Sequence, residues 1–406
     1  MIKTIIHRLL AHRHFWRSVD FDEVAELYSA TFIRNIAFNL FVPFIALYLL
    51  QHGMSPANVM LFMIVNFTFR IPAAFLCGWI VSRIGPKHGT LLSNVLYIPS
   101  AIVLTFVPGH MFAALALFII LQGMASTLYD ISYTVDFSKV KRVEHAGKEL
   151  GYMYIIQMIA AAASPLVGGL IAIILGANWI MYVAALLSLI AALPLFFTPE
   201  PVRTRQKISY RGINWKEIRK SLYAQSAVGI DMSASGTIWP VFIIAVIIGS
   251  ITESTYAQIG ALTSIAVVGA LISGRIFGVI VDRNKGRPLL SLSVVLNSLL
   301  HMVRMWVPSI NVAAGVNIVN QLFTSGYNMP FMKGMFDMAD SLPGYRIAYL
   351  TLMEAMLTVG KVIPFVVAYV CLNILGLANG FAAVFIISGL LTLGIAVNGF
   401  RVLKQE

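Results

Sequence analysis

Arg34, Arg70, Asp130, Asp231, Glu354 and Lys361 all fall inside or at the rim of stretches apolar enough to cross a bilayer. A charge placed there is costly and marks a functional site by default. The chemistry it suggests is holding a polar solute or carrying a proton. Arg34 is followed by Asn35 and Asn39, one turn apart, and Asp231 occupies an equivalent place in the later part of the chain. Their opposite signs at similar depth suggest a gate pair; capping or snorkelling to the headgroups explains them equally well. Arg70 sits mid-stretch, one turn from Asn66. Glu354 and Lys361 are seven residues apart and share one helix face.

These residues need elements to position them, and composition says what kind. The chain is 59% hydrophobic and 11% charged, so most of its surface faces something other than water. Apolar runs of roughly 20 residues, the length that spans a bilayer, lie near 27–50, 56–82, 88–107, 111–135, 150–174, 178–197, 223–249, 255–281, 288–307, 311–335, 346–373 and 378–400. The expected fold is an all-α integral membrane protein of about twelve spans. It divides into an amphipathic segment at 1–26, a six-helix bundle at 27–198, a basic linker at 199–222, a second bundle at 223–400 and a tail at 401–406.

The net charge of +12 would suggest nucleic acid in a soluble protein. Here the loops that hold Lys and Arg alternate with loops that hold none, so the basic loops and both termini are read as cytoplasmic. The basic excess is topogenic, with some attraction to anionic lipid, and no nucleic-acid partner is expected. Cys77 and Cys371 fall in spans and are read as free packing residues. The N-terminus has no small-residue cleavage site of the signal-peptide kind. Arg304 lies near an outer end and reads as a snorkelling cation.

Two loops repeat one pattern. The first reads Gly78-Trp-Ile-Val-Ser82-Arg83-Ile-Gly85-Pro86-Lys87, and the second Gly278-Val-Ile-Val-Asp282-Arg283-Asn284-Lys285-Gly286-Arg287. Each links two apolar runs through a short basic turn, as in an internally duplicated transporter. The pair resembles the loop signature of the major facilitator superfamily, G-x-x-x-D-R-x-G-R-K/R. Ser82 and Pro86 depart from it in the first copy, and one extra residue precedes Gly286 in the second.

The resemblance implies two six-helix bundles related by a pseudo-two-fold axis. Helices 1, 4, 7 and 10 would line a central cavity, and helices 3, 6, 9 and 12 would face lipid. Asn35, Asn39, Arg70, Gln122, Gln321, Asn328 and Lys361 are then candidates for binding substrate. Helices 2 and 11 would meet between the bundles, so Arg70 would pair with Glu354, either switching between states or locking the halves. Glu354 is the first choice for a proton carrier, since burial favours a neutral carboxyl group; Asp231 is second, and Asp130 is added. The gate and lock set is Arg34, Gly78, Arg83, Gly85, Lys87, Gly278, Asp282, Arg283, Gly286 and Arg287. Within it Asp130 or Asp136 would hold Arg83, and Asp337 or Asp340 would hold Arg283.

No nucleotide-binding loop, metal-ligand cluster or nucleophile–base arrangement is legible. The expectation is therefore no enzyme, no cofactor, no metal and no catalytic residue. The resemblance implies a monomeric secondary transporter of a bacterial cytoplasmic membrane, working by alternating access and coupled to H⁺. The cationic candidates Arg34, Arg70, Arg275 and Lys361 slightly outnumber the acids Asp130, Asp231 and Glu354, which points to a small polar neutral or anionic organic solute. A multidrug or lipid exporter of the same fold is the alternative, and a non-transporting receptor a weaker one.

Overall fold

The computed structural model describes residues 21–140, 146–196, 208–282 and 286–400. The segment 1–20, the linker stretch 199–207, Arg283 and the tail 401–406 lie outside the described residues, and with them the expected amphipathic helix.

The described chain is helical. Its rods are α1 (Phe21–Phe41), α2 (Pro56–Ile84), α3 (Pro86–Val103), α4 (Val107–Val140), α5 (Ala146–Leu175) and α6 (Ala177–Ala192), then α7 (Trp215–Ser233), α8 (Glu253–Asp282), α9 (Gly286–Val303), α10 (Ile310–Asp340), α11 (Arg346–Leu375) and α12 (Leu377–Thr392). A 3-10 turn and the helix Ile45–Gln51 prolong α1. Two π-helical turns, Ala234–Ile238 and Ile243–Ile248, prolong α7 on either side of Trp239–Phe242. Among the described residues ten stretches are long and apolar enough to cross a membrane. One of them, Pro86–Ser138, contains both α3 and most of α4.

Local chemistry sets the breaks. The Ser55 hydroxyl caps α2 by accepting from the Asn58 amide at 3.2 Å, with Pro56 beginning the helix. Gly85, at φ +89°, turns the chain between α2 and α3, a backbone region that other residues enter at a cost.

Two long contacts join the part of the chain before the linker to the part after it: α5 along α8, and α2 along α11. Small residues let the backbones approach. A Cβ at Gly169 would lie 2.7 Å from the Tyr256 carbonyl oxygen, and one at Gly260 would strike the Pro165 carbonyl. The Ser164-Pro165…Gly168-Gly169 stretch is thus a close-packing element. Across the second contact a Cβ at Gly78 would meet the Thr351 side chain.

The buried apolar side chains form two clusters. Along α2 Met63 belongs to one and Ala74 to the other; along α11 Phe365 and Ala355 do the same. Between them lie Asn66 and Arg70 on α2 and Lys361 on α11, with Glu354 next to Ala355 at the edge of the second cluster, all buried. A polar layer thus separates two apolar ones at mid-depth. Outward faces are apolar on α6 (Leu186, Leu189), α9 (Leu292, Leu299) and α12 (Leu390, Leu391).

Candidate functional site

The polar layer centres on Arg70. Its guanidinium donates to Asp130 on α4 at 3.0 Å and to Glu354 on α11 at 3.4 Å, while Nε donates to the Thr127 hydroxyl at 3.1 Å. Asp130 lies on the same side of the linker as Arg70, and Glu354 on the other, so one cation spans the α2–α11 seam. The Asp130 side chain stays 39% accessible and that of Glu354 only 9%, which makes Asp130 the wetter end. Glu354 also accepts weakly from the Thr358 hydroxyl at 3.5 Å. The Phe67 ring meets both cations, with Arg70 at 5.3 Å and the Lys361 ammonium at 5.4 Å. It stacks on Phe365 across the seam, centroids 5.6 Å apart.

Next to this cluster is a cavity of about 70 Å³, walled by α1, α2, α4 and the first π-helical turn after α7. Asn66, Phe67, Gln122 and Thr237 line it, with Phe62 and Phe118 among its apolar wall. π-turns recur at functional sites because they displace one residue from helical register; here the turn brings Gly236 and Thr237 to the cavity.

Asp231 lies elsewhere. It accepts from Asn297 at 2.9 Å, from Ser235 at 3.2 Å and from Tyr327, and it meets His301 Nε2 at 2.6 Å. Arg304 extends the group, 2.9 Å from His301 Nδ1 and 3.1 Å from the Ser235 hydroxyl. The snorkelling expected for Arg304 is overturned: its side chain is fully buried, held inward by these partners and by the Trp239 ring at 5.2 Å.

The expected Arg34–Asp231 pair is not formed. Arg34 instead donates to Asn94 at 2.5 Å and lies over the Tyr129 ring at 4.1 Å and the Tyr97 ring at 5.2 Å. Each charge is bound on its own side of the linker: α3 and α4 hold Arg34, α9 and α10 hold Asp231.

Residues 27–233, half of the chain, match the profile of the Major Facilitator Superfamily. The chain belongs to the major facilitator superfamily. Its activity is accordingly secondary transport across a membrane, not catalysis. Among curated relatives, it is 26% identical over 292 residues to a "Multi-drug resistance efflux pump PmrA homolog" of Lactococcus lactis subsp. lactis (strain IL1403), covering 68% of this chain and 71% of that one. Two solved structures share its fold. One is a POT family transporter in complex with 5-aminolevulinic acid (TM-score 0.69, 13% identity, 94% and 96% of the two chains covered). The other is the E. coli fucose:proton symporter FucP (N162A) (TM-score 0.63, 14% identity, 92% and 97% covered).

The superfamily's signature residues sit as follows. Gly78 provides the close approach of α2 to α11, and Gly85 the turn. Arg83 lies over Trp79 at 5.8 Å; of the two acids expected to hold it, Asp130 or Asp136, Asp130 is bound to Arg70. Lys87 is buried at the start of α3. Ser82, also buried, donates to its own helix at the Trp79 carbonyl, 2.7 Å away. Gly278 and Asp282 lie on the last turns of α8, Gly286 opens α9 and Arg287 is exposed beside it. Asp340 pairs at 2.6 Å with Arg346, whose other nitrogen donates to the Ser138 carbonyl on α4 at 3.2 Å.

Several cavity candidates have other work. Asn35 and Asn39 donate to carbonyls of their own helix, Thr31 and Asn35, each at 2.8 Å. Gln321 approaches the Met158 sulfur at 3.9 Å, and Asn328 is half-buried on α10. Asn317 and Asn320, also on α10, tie to Trp239 and Asn297. Of the expected set, Gln122 lines the cavity, while Arg70 and Lys361 border it through Phe67. Sequence reasoning missed the His301–Arg304 partnership with Asp231; the spacing of three on a helix supposed to face lipid was the signal.

Proposed function

We propose that this protein is a proton-coupled transporter that moves a small polar neutral or anionic organic solute by alternating access. The reading includes twelve spans in two six-helix bundles, 27–198 and 223–400, joined by a linker at 199–222. It also places the basic loops and both termini in the cytoplasm of a bacterial cell.

The observation that carries it is Arg70, shared between Asp130 in its own half and Glu354 in the other. When Glu354 takes a proton, its ion pair with Arg70 becomes at most a hydrogen bond from the guanidinium to a neutral carboxyl group. Arg70 then rests on Asp130 alone, and the α2–α11 seam is freed to open. When the proton leaves, the pair pulls the seam shut. Buried charge is costly unless paired, so protonation and seam geometry are tied together. The fucose:proton symporter of the same fold, named for its coupling ion, supports the proton over other ions.

The test is solute accumulation by proteoliposomes under an imposed pH gradient. The wild type concentrates its solute only with the gradient; Glu354→Gln exchanges solute across the membrane without concentrating it. If Glu354→Gln keeps pH-driven accumulation, the proton role fails.

A second reading, export of drugs or lipids, draws on the efflux-pump relative and on the aromatic wall of the cavity. Increased sensitivity of a deletion strain to dyes and cationic drugs would favour it.

A further inference from the structure

We infer that the cavity between α1, α2, α4 and the π-turn binds an uncharged solute, apolar on one flank, whose hydrogen-bonding group is read by Asn66 and Gln122. This rests on the transport reading above and narrows its substrate class.

Three observations lead there. First, none of the side chains lining the cavity is ionisable. Arg70 lies one turn beyond Asn66, but its guanidinium is engaged by Thr127, Asp130 and Glu354. The cavity meets the Arg70 and Lys361 cations through the Phe67 ring. A charged ligand would lose its water without gaining a counter-ion, so a charge is disfavoured.

Second, Asn66 and Gln122 are each 5% exposed, and each has a buried side-chain oxygen with no hydrogen-bond partner in the protein. Gln122 spends its other end on the Ser126 hydroxyl at 2.9 Å. Buried polar atoms in folded proteins are nearly always satisfied. Two unsatisfied carboxamides on neighbouring helices, lining one cavity, are suited to a ligand that supplies the missing bonds. Turned over, a carboxamide offers N–H in place of C=O, so the pair reads an uncharged amide or hydroxyl of either polarity.

Third, apart from Thr237 the remaining wall is apolar and aromatic, with Phe62, Phe118 and Pro240. It suits a ring or hydrocarbon body and excludes water from the polar end.

The experiment compares benzamide, benzoate and benzamidinium, which share a ring and a near-common shape but are neutral, anionic and cationic. The readout is the thermal unfolding of the full-length purified protein, since a ligand that binds only the folded state raises its stability. Benzamide should raise the Tm with a saturable dose dependence; benzoate and benzamidinium should not. Asn66→Leu and Gln122→Leu should each weaken the benzamide response by about tenfold in concentration. A misfolded variant would imitate that loss, so Gln122→Glu is the decisive partner: it should lose benzamide and gain benzamidinium.

Three results would overturn the inference. One is an equal or larger shift by either charged probe in the wild type. Another is no shift with benzamide. The last is variants that respond as the wild type does. The assay needs no gradient, so its failure is separable from that of proton coupling, which the Glu354→Gln liposome measurement reads alone.

Discussion

Two buried charge clusters lie in this protein and differ in what they connect. Arg70, Asp130 and Glu354 cross the seam between the two parts of the chain. Asp231, His301 and Arg304, with Asn297 and Tyr327, come only from α7, the start of the 3-10 turn after α9, and α9 and α10. A cluster that crosses a moving seam changes energy when the seam opens; one inside a rigid group does not. On the proposed mechanism the first switches and the second holds. Arg34 extends the contrast: with Asn94 and Tyr129 it too is held on one side of the linker, with the opposite sign to Asp231.

The largest effect should come from breaking the holding cluster. Asp231→Leu leaves His301 and Arg304 buried without their acid and should destabilise the protein by about 3–5 kcal/mol, read as a lower midpoint of thermal unfolding. Asp231→Asn should cost less, because it keeps most of the hydrogen bonds. Should Asp231→Leu unfold like the wild type, the holding role is wrong.

Glu354→Gln should be milder in stability, about 1–3 kcal/mol, because Arg70 retains Asp130. Its effect should appear in function, as lost accumulation with exchange preserved. The contrast between a stability defect at Asp231 and a coupling defect at Glu354 is the sharpest form of the comparison. Equal defects in both assays would erase it.

Gly78→Val tests the seam itself. The added side chain meets Thr351 and should cost about 1–3 kcal/mol by overpacking. Gly78→Val with Thr351→Ala should recover part of that loss, as a double-mutant cycle would show.

The smallest effect is expected at Ser82, where the second loop carries Asp282. Ser82 lines a cavity of about 250 Å³ together with Asp340 and Arg346. Ser82→Asp would compete with Asp340 for Arg346, a part-exposed pair worth about 0–1 kcal/mol. It should alter the rate of interconversion between states more than stability.

The Arg70–Glu354 part of the seam cluster was legible in the sequence because few charges lie at mid-span, whereas Asp130, expected as a partner of Arg83, pairs with Arg70. Arg70 and Glu354 had few partners to choose from once α2 and α11 were taken to meet. The holding cluster was not, because depth along a helix says nothing about rotation around it. Arg34 and Asp231 share a depth and point to different neighbours. His301 and Arg304 sit on a helix expected to face lipid, and only its rotation shows that they turn inward. The sequence pattern of Asn317, Asn320, Gln321 and Asn328 on α10 suits a cavity wall. Asn317 and Asn320 instead bind Trp239 and Asn297, which composition cannot distinguish from a site. The unsatisfied ends of Asn66 and Gln122 became visible only with their neighbours in place.

The central claim is that protonation of Glu354 releases the seam. It can be tested without knowing the solute. Cys77 and Cys371 are replaced by Ala, and spin labels are placed at His88→Cys and Pro343→Cys, one exposed position on each side of the linker. Label-to-label distances are then measured in lipid across pH 5.5 to 8. The account predicts two distance populations whose ratio changes with pH in the wild-type background and stays fixed in Glu354→Gln. A Glu354→Gln protein that shifts with pH as the parent does would contradict it.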